Sequence, residues 1–364
     1  MAKHLVITGV SAIQAWDGGV RDFARSSRLR STASFAATAQ DLADFDALPQ
    51  GCTEPVEILV GSAANRLHTS RWQASLRSTP LPVGSLYDVG GGRCITSPEL
   101  FFLQTAPKLS MAGAVLLAME LCGYYSTLMS VPYRKYCDEL ARSGLYPRNA
   151  APWPPESWGL SYEHQKDLMD LGFVNREPLT DPKKLRAYVE RALSAGSHSR
   201  ALVALQYAAA PSRSPMESRL YARYCLPVRY GGLNLTPVEL NWEIELPEDI
   251  AAATGRTHYS VDLYWPDGGI AIEYQGDFAH SGLSAEQRDR LKRNILETTG
   301  IQIISIDKRQ YANEELLDLY GRQIAKRLKI KRSRMGSGPK HRIARSALIT
   351  ELDAWDNDLY RPAT

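Results

Sequence analysis

Tyr259-Ser-Val-Asp-Leu-Tyr-Trp-Pro-Asp-Gly-Gly-Ile-Ala-Ile-Glu-Tyr-Gln-Gly-Asp-Phe-Ala-His280 reads as two short apolar strands joined by a tight turn. Pro266-Asp-Gly-Gly269 supplies residues that tolerate turn conformations, so the strands fold back as a hairpin. Strand side chains alternate with a period of two, which puts Glu273 and Gln275 on one face. Asp262 falls near the end of the neighbouring strand, beside them. Acids set among Val, Leu, Trp and Ile are costly to bury. A divalent cation that takes oxygen ligands is the simplest physical reason to accept that cost. The alternative for Asp262 is a strand-end cap or a pair with Arg256.

The flanking text extends this unit. Ser214-Pro-Met-Glu-Ser-Arg-Leu opens a helix with Ser214 as N-cap and Pro215 in its first turn. Strands are predicted near Glu239 to Leu246, Tyr259 to Tyr264 and Ile270 to Tyr274. Helix 285–298, strand 301–306 and helix 313–328 follow. The order α-β-β-β-α-β-α predicts an α/β fold around a mixed sheet. A basic run follows, with Lys329, Lys331, Arg332 and Arg334 at its start. It reads as a phosphate-binding stretch or as a solvated, loosely ordered end.

Upstream, Leu5-Val-Ile-Thr and Val56-Glu-Ile-Leu-Val read as strands, and Ser31 to Leu48 as an Ala-rich helix. Gly90-Gly-Gly-Arg-Cys-Ile-Thr-Ser-Pro reads as a loop, since no Lys-Ser/Thr follows to make it a phosphate loop. Ser97-Pro-Glu then starts a helix, and Met111 to Leu121 reads as a buried one. Tyr146 to Trp158 is Pro-rich and reads as a boundary. Asp181-Pro starts an amphipathic helix, and Ser199 to Ala209 is a second. The predicted organisation is an α+β module over 1–145, a helical connector over 146–211, an α/β domain over 212–328 and a basic tail over 329–364.

The chain has 364 residues, enough for two or three domains of about 150 residues. No apolar run is long enough to span a membrane, so no membrane partner is expected. Five scattered cysteines without a CxxC pair read as reduced thiols of a cytoplasmic protein. A net charge of +3 does not by itself argue for nucleic acid.

Ser214-Pro-Met-Glu217-Ser-Arg-Leu, Val-Asp262-Leu, Glu273-Tyr-Gln275-Gly, His280 and Arg288-Asp-Arg-Leu-Lys-Arg293 occur in that order. This set resembles the PD-(D/E)xK nuclease superfamily, in its branch related to very-short-patch repair endonucleases. The resemblance spans residues 212 to 325 and implies a restriction-endonuclease-like domain. It implies Mg²⁺ (or Mn²⁺) held by Asp262 and Glu273, with Glu217 as a third carboxylate. His280 would contact the scissile phosphate or act as acid/base. Lys292 or Arg293 would neutralise charge on phosphoryl oxygens and, with Arg288, would bind nucleic acid; the alternative for this cluster is a solvated helix face. The implied activity is metal-dependent hydrolysis of DNA phosphodiester bonds. Gln275 departs from the family's Lys or Asp, and glutamine is neither a base nor a cation. The alternative is therefore a DNA-binding regulator that keeps the fold without turnover. Pro55-Val-Glu-Ile-Leu-Val and Ile95-Thr-Ser-Pro-Glu-Leu-Phe-Phe-Leu-Gln resemble parts of abortive-infection antitoxin-like proteins. That likeness implies a winged-helix-like module, a protein partner for the N-terminal region and a phage-defence or mobile-element setting.

Overall fold

The computed structural model describes residues 4–20, 28–29, 42, 51–66, 68–77, 80–128, 172–192, 199–276, 283–336 and 338–358. The chain forms two compact units. The first comprises Met1–Ser110, Glu120–Gln206 and Asp356–Thr364; the second comprises Met111–Met119 and Tyr207–Trp355. The described residues at 172–206 thus belong to the first unit and do not stand as a separate connector. The expected helix at Ser31 to Leu48 and the boundary at Tyr146 to Trp158 lie outside the described residues, except for Leu42.

The first unit is built on a mixed six-stranded sheet. Its strands are β1 (Leu5–Ile7), β2 (Arg28–Leu29), β3 (Val56–Val60), β4 (Trp72–Leu76), β5 (Leu86–Gly90) and β6 (Arg93–Thr96). They lie in the order β2-β5-β6-β1-β3-β4. β1 runs parallel to β6 and antiparallel to β3. A sheet this wide replaces the small wing expected of a winged helix. The glycine run read as a turn is the tip of the β5–β6 hairpin, whereas Arg93–Thr96 of the same stretch, read as loop, is strand β6. Gly90, Gly91 and Gly92 all take positive φ there, which only glycine adopts without cost.

Helices α1 (Gly9–Ala15) and α2 (Pro98–Thr105) follow strands β1 and β6. Ser97 Oγ accepts the Leu100 N–H at 3.1 Å and caps α2, as its Ser-Pro start predicts. Helix α3 (Met111–Leu121) is buried from Ala112 onward, as its apolar text, broken by Glu120 alone, requires. Short strands β7 (Tyr125–Ser126) and β8 (Val174–Asn175) pair, and α4 (Pro182–Ala192) and α5 (Ser199–Tyr207) follow. Asp181 Oδ1 accepts the Lys184 N–H at 2.9 Å, the expected cap of α4.

Besides Met111–Met119 of α3, the second unit holds α6 (Pro215–Cys225), β9 (Glu239–Glu245), α7 (Glu248–Thr254), β10 (His258–Trp265) and β11 (Ile270–Gln275). It continues with α8 (Leu283–Thr298), β12 (Gln302–Asp307), α9 (Lys308–Tyr311), α10 (Glu314–Arg327) and α11 (Pro339–Asp358). The expected order of elements is present, with α7, α9 and α11 added. β10 and β11 form the expected antiparallel hairpin, closed by a single 3₁₀ turn at Pro266–Gly268 and Gly269 at φ 54°. β12 pairs parallel to β11, with α8 as the crossover. The sheet order is β12-β11-β10-β9.

Register assigns the faces of this sheet. Tyr264 pairs with Ala271, Ala271 with Ile303, and Glu273 with Ser305. Period-two alternation therefore places Asp262, Glu273, Gln275 and Ser305 on one face. Helix α8 covers that face, with Ile295 and Leu296 packed in one core with Ala271 and Ile303. The opposite face buries Trp265 against Tyr224 of α6, ring to ring at 6.4 Å.

The basic tail expected after 328 is largely helical. Leu348 and Leu352 of α11 are buried one helical turn apart, and Arg345 is only 7% exposed. Arg345 donates to the carbonyls of Arg223 and Gly231 and pairs with Asp318. These contacts fix α11 to the second unit, so a loosely ordered end is ruled out for the described part. The four described cysteines, Cys52, Cys94, Cys122 and Cys225, are free and buried. Among the described residues no helix is long and apolar enough to cross a membrane.

Candidate functional site

The site assembles where α6, β9, β10, β11 and α8 converge. Ser214 Oγ accepts the Glu217 N–H at 3.2 Å, which starts α6 and sets Glu217 in its first turn. Glu217 is 5% exposed. Its Oε2 accepts from the Arg213 N–H at 2.8 Å, from Asn241 Nδ2 at 2.7 Å and from Ser212 Oγ at 3.4 Å. Burial raises its pKa above the ordinary carboxylate value, and these donors pull the other way.

Asn241 was not legible as a site residue. It lies within β9 with φ 49°, in the left-handed region that Asn tolerates better than most residues. Its side chain bridges Glu217 and the Pro211 carbonyl, the latter at 3.1 Å. The sequence signal is an asparagine breaking the Glu-Leu-Asn-Trp-Glu strand pattern.

Asp262 is half-buried on β10. Past the Leu263–Ile272 pair, its Oδ2 takes the Tyr274 N–H at 2.7 Å. The carboxylate thereby serves as a ladder acceptor for β11. Burial raises its pKa well above the usual carboxylate range, and the charges of Glu217 and then Glu273 push the same way. The Tyr274 N–H and the Lys292 ammonium oppose them. The alternative partner, Arg256, instead lies over the Tyr259 ring.

Glu273 is half-buried on β11, and Lys292 reaches down from α8 to pair with it. Arg293 Nη2 donates to Ser305 Oγ at 2.6 Å, bracing α8 on β12. Lys292 and Arg293 are therefore engaged with the sheet and are not simply a solvated helix face. The Arg288 side chain and His280 lie outside the described residues. Gln275 ends β11 opposite Asp307, half-buried on the Glu273 face. Lys329, Lys331 and Arg334 are exposed beyond α10, whereas the Arg332 side chain lies outside the described residues.

The three carboxylates expected to hold one cation do not form such a group. Among the described residues, no three His, Cys, Asp or Glu side chains converge on a metal position. The physical reason is that Glu217 is turned to its own donors and Glu273 to Lys292. Asp262 and Glu273 remain side by side on one face. That pair is a donor set suited to a hydrated Mg²⁺, which binds through one or two carboxylates and keeps water ligands. No family model, curated protein or solved structure matches the chain.

Proposed function

We propose that the second unit is a metal-assisted phosphodiesterase of the PD-(D/E)xK nuclease type, acting on DNA. The observation that carries this reading is that Asp262 and Glu273 share one face of neighbouring strands, with Lys292 paired to Glu273. A half-buried acid held beside two other acids is an electrostatic sink for a cation, which would offset both the desolvation that raises the Asp262 pKa and the repulsion that adds to it. Asp262 and Glu273 would hold the Mg²⁺, which when bound polarises a phosphoryl oxygen and lowers the pKa of its water. Lys292, released from Glu273, would set a positive charge against the developing phosphoryl charge. Gln275 would orient water through its side-chain carbonyl. Asn241, the Ser212 hydroxyl and the Arg213 backbone N–H hold Glu217 and with it the acidic field around Asp262.

The test is cleavage of supercoiled plasmid and short duplexes with Mg²⁺ or Mn²⁺. Asp262→Ala and Glu273→Ala are each expected to cut rate by roughly 100-fold or more, while DNA binding survives. Cutting that persists in both variants would refute the assignment. A second reading, a DNA-binding regulator on the same fold, is favoured by the Lys292–Glu273 pair and the non-ionisable Gln275. It expects salt-sensitive DNA binding and no cutting with either metal.

A further inference from the structure

A separate cavity of about 560 Å³ opens in the second unit between α10 and α11. That volume is in the range that encloses a small organic ligand. Leu233, Met335 and Ile349 form its apolar wall. Leu233 and Met335 are each 6% exposed, so this wall is held in place by the core behind it.

The charges around the cavity are built and mostly committed. Glu314 pairs with the buried Arg223, and Asp318 pairs with Arg345 at 2.6 Å. Arg345 lines the cavity with its Nε buried and unbonded. His341 Nε2 lies 3.2 Å from the Gly232 carbonyl and donates to it, which leaves Nδ1 as an acceptor. Gly336, at φ 76°, has no room for a Cβ, which would lie 2.6 Å from His341 Cγ. The loop is thus shaped to hold that ring. Arg322 and Arg342 also line the cavity, are exposed, and make no ion pair with a described residue. With both acids already matched by arginines, these two supply the positive excess.

We propose that this cavity binds a small organic phosphate of nucleoside-monophosphate size. Arg322 and Arg342 take the phosphate, because guanidinium forks match phosphate oxygens in pairs. The apolar wall takes the flat face of the base. The Asp318 oxygen that Arg345 leaves unpaired and the free His341 nitrogen accept from the hydroxyl and amino groups. Neither the phosphate alone nor the uncharged nucleoside satisfies both halves. The proposal is independent of the Asp262 site.

The test is calorimetric titration of the full chain with each nucleoside monophosphate, with the parent nucleosides and with inorganic phosphate. At least one monophosphate is expected to bind, with nucleoside and inorganic phosphate each at least tenfold weaker. Arg322→Ala/Arg342→Ala should weaken that binding at least tenfold. Both residues are exposed, so an unchanged melting temperature will show that the variant is folded. Asp262→Ala should leave the affinity unchanged. The proposal fails if no monophosphate binds, if inorganic phosphate binds as tightly, or if the double variant binds like the parent. Loss of binding in Asp262→Ala would move the ligand to the other site and overturn it as well.

Discussion

Glu120 has no exposed surface and sits against Thr127, accepting its N–H at 2.7 Å and its hydroxyl at 2.8 Å. Burial nevertheless lifts its pKa from an ordinary 4.5 to about 7, although the Arg176 charge and the Thr127 donors oppose the rise. The folded state therefore holds a proton that the unfolded chain has released between these values. This contribution is complete below the unfolded pKa and is lost as pH rises through the folded one. The whole effect is about 3 kcal/mol. Chemical denaturation from pH 4.5 to 8 should show stability falling with pH, and Glu120→Gln should flatten most of that slope.

Asn241 carries a different kind of load at the same scale. Asn241→Ala should cost about 2 kcal/mol, from left-handed backbone strain and the lost bond to the buried Glu217 carboxylate. Asn241→Gly loses the same bond but not the φ tolerance, so urea melts should place it between the two. Equal losses for Ala and Gly would show that the backbone position carries none of the cost. Period two and a Pro-Asp-Gly-Gly turn were enough to place Asp262 and Glu273 on one face. The left-handed kink at Asn241 was not legible, because it depends on an acid 24 positions away.

At the scale of elements, capping text was the most readable. Ser97, Asp181 and Ser214 each accept the backbone N–H three residues on, as a polar residue before proline predicts. Helix α11 was less readable because its charges masked its pattern. Leu348 and Leu352 are four apart, but ten Lys, Arg and His residues between 326 and 345 dominate the text. One of those cations, Arg345, turns inward. It replaces water for the Arg223 and Gly231 carbonyls and for Asp318. Arg345→Ala should therefore destabilise the second unit by about 2–4 kcal/mol. Removing an arginine from a loose tail would change the denaturation midpoint hardly at all. The Lys292–Glu273 pair was also hidden, since only the parallel crossover through α8 brings residues 19 apart together.

On the scale of the whole molecule, the exposed cations after α10 are the clearest meeting point for polyanions. Neutralising Lys329, Lys331, Arg332 and Arg334 together should lower the slope of log K against log salt by about 3–4 if all four meet phosphates. Fluorescence anisotropy with a labelled duplex from 50 to 300 mM salt measures it. An unchanged slope would assign phosphate contact elsewhere.

β9 is the end strand of its sheet among the described residues, so one side of its backbone has no described neighbour in the ladder. Such an edge invites another chain to add a strand and begin self-association. Glu239, Glu243 and Glu245 stand exposed along it, and Asn241 twists it out of regular extension. The same kink that grips Glu217 therefore makes β9 a poor template for an incoming strand. The residue that organises the acids also guards the protein against aggregation, and relaxing one role would weaken the other.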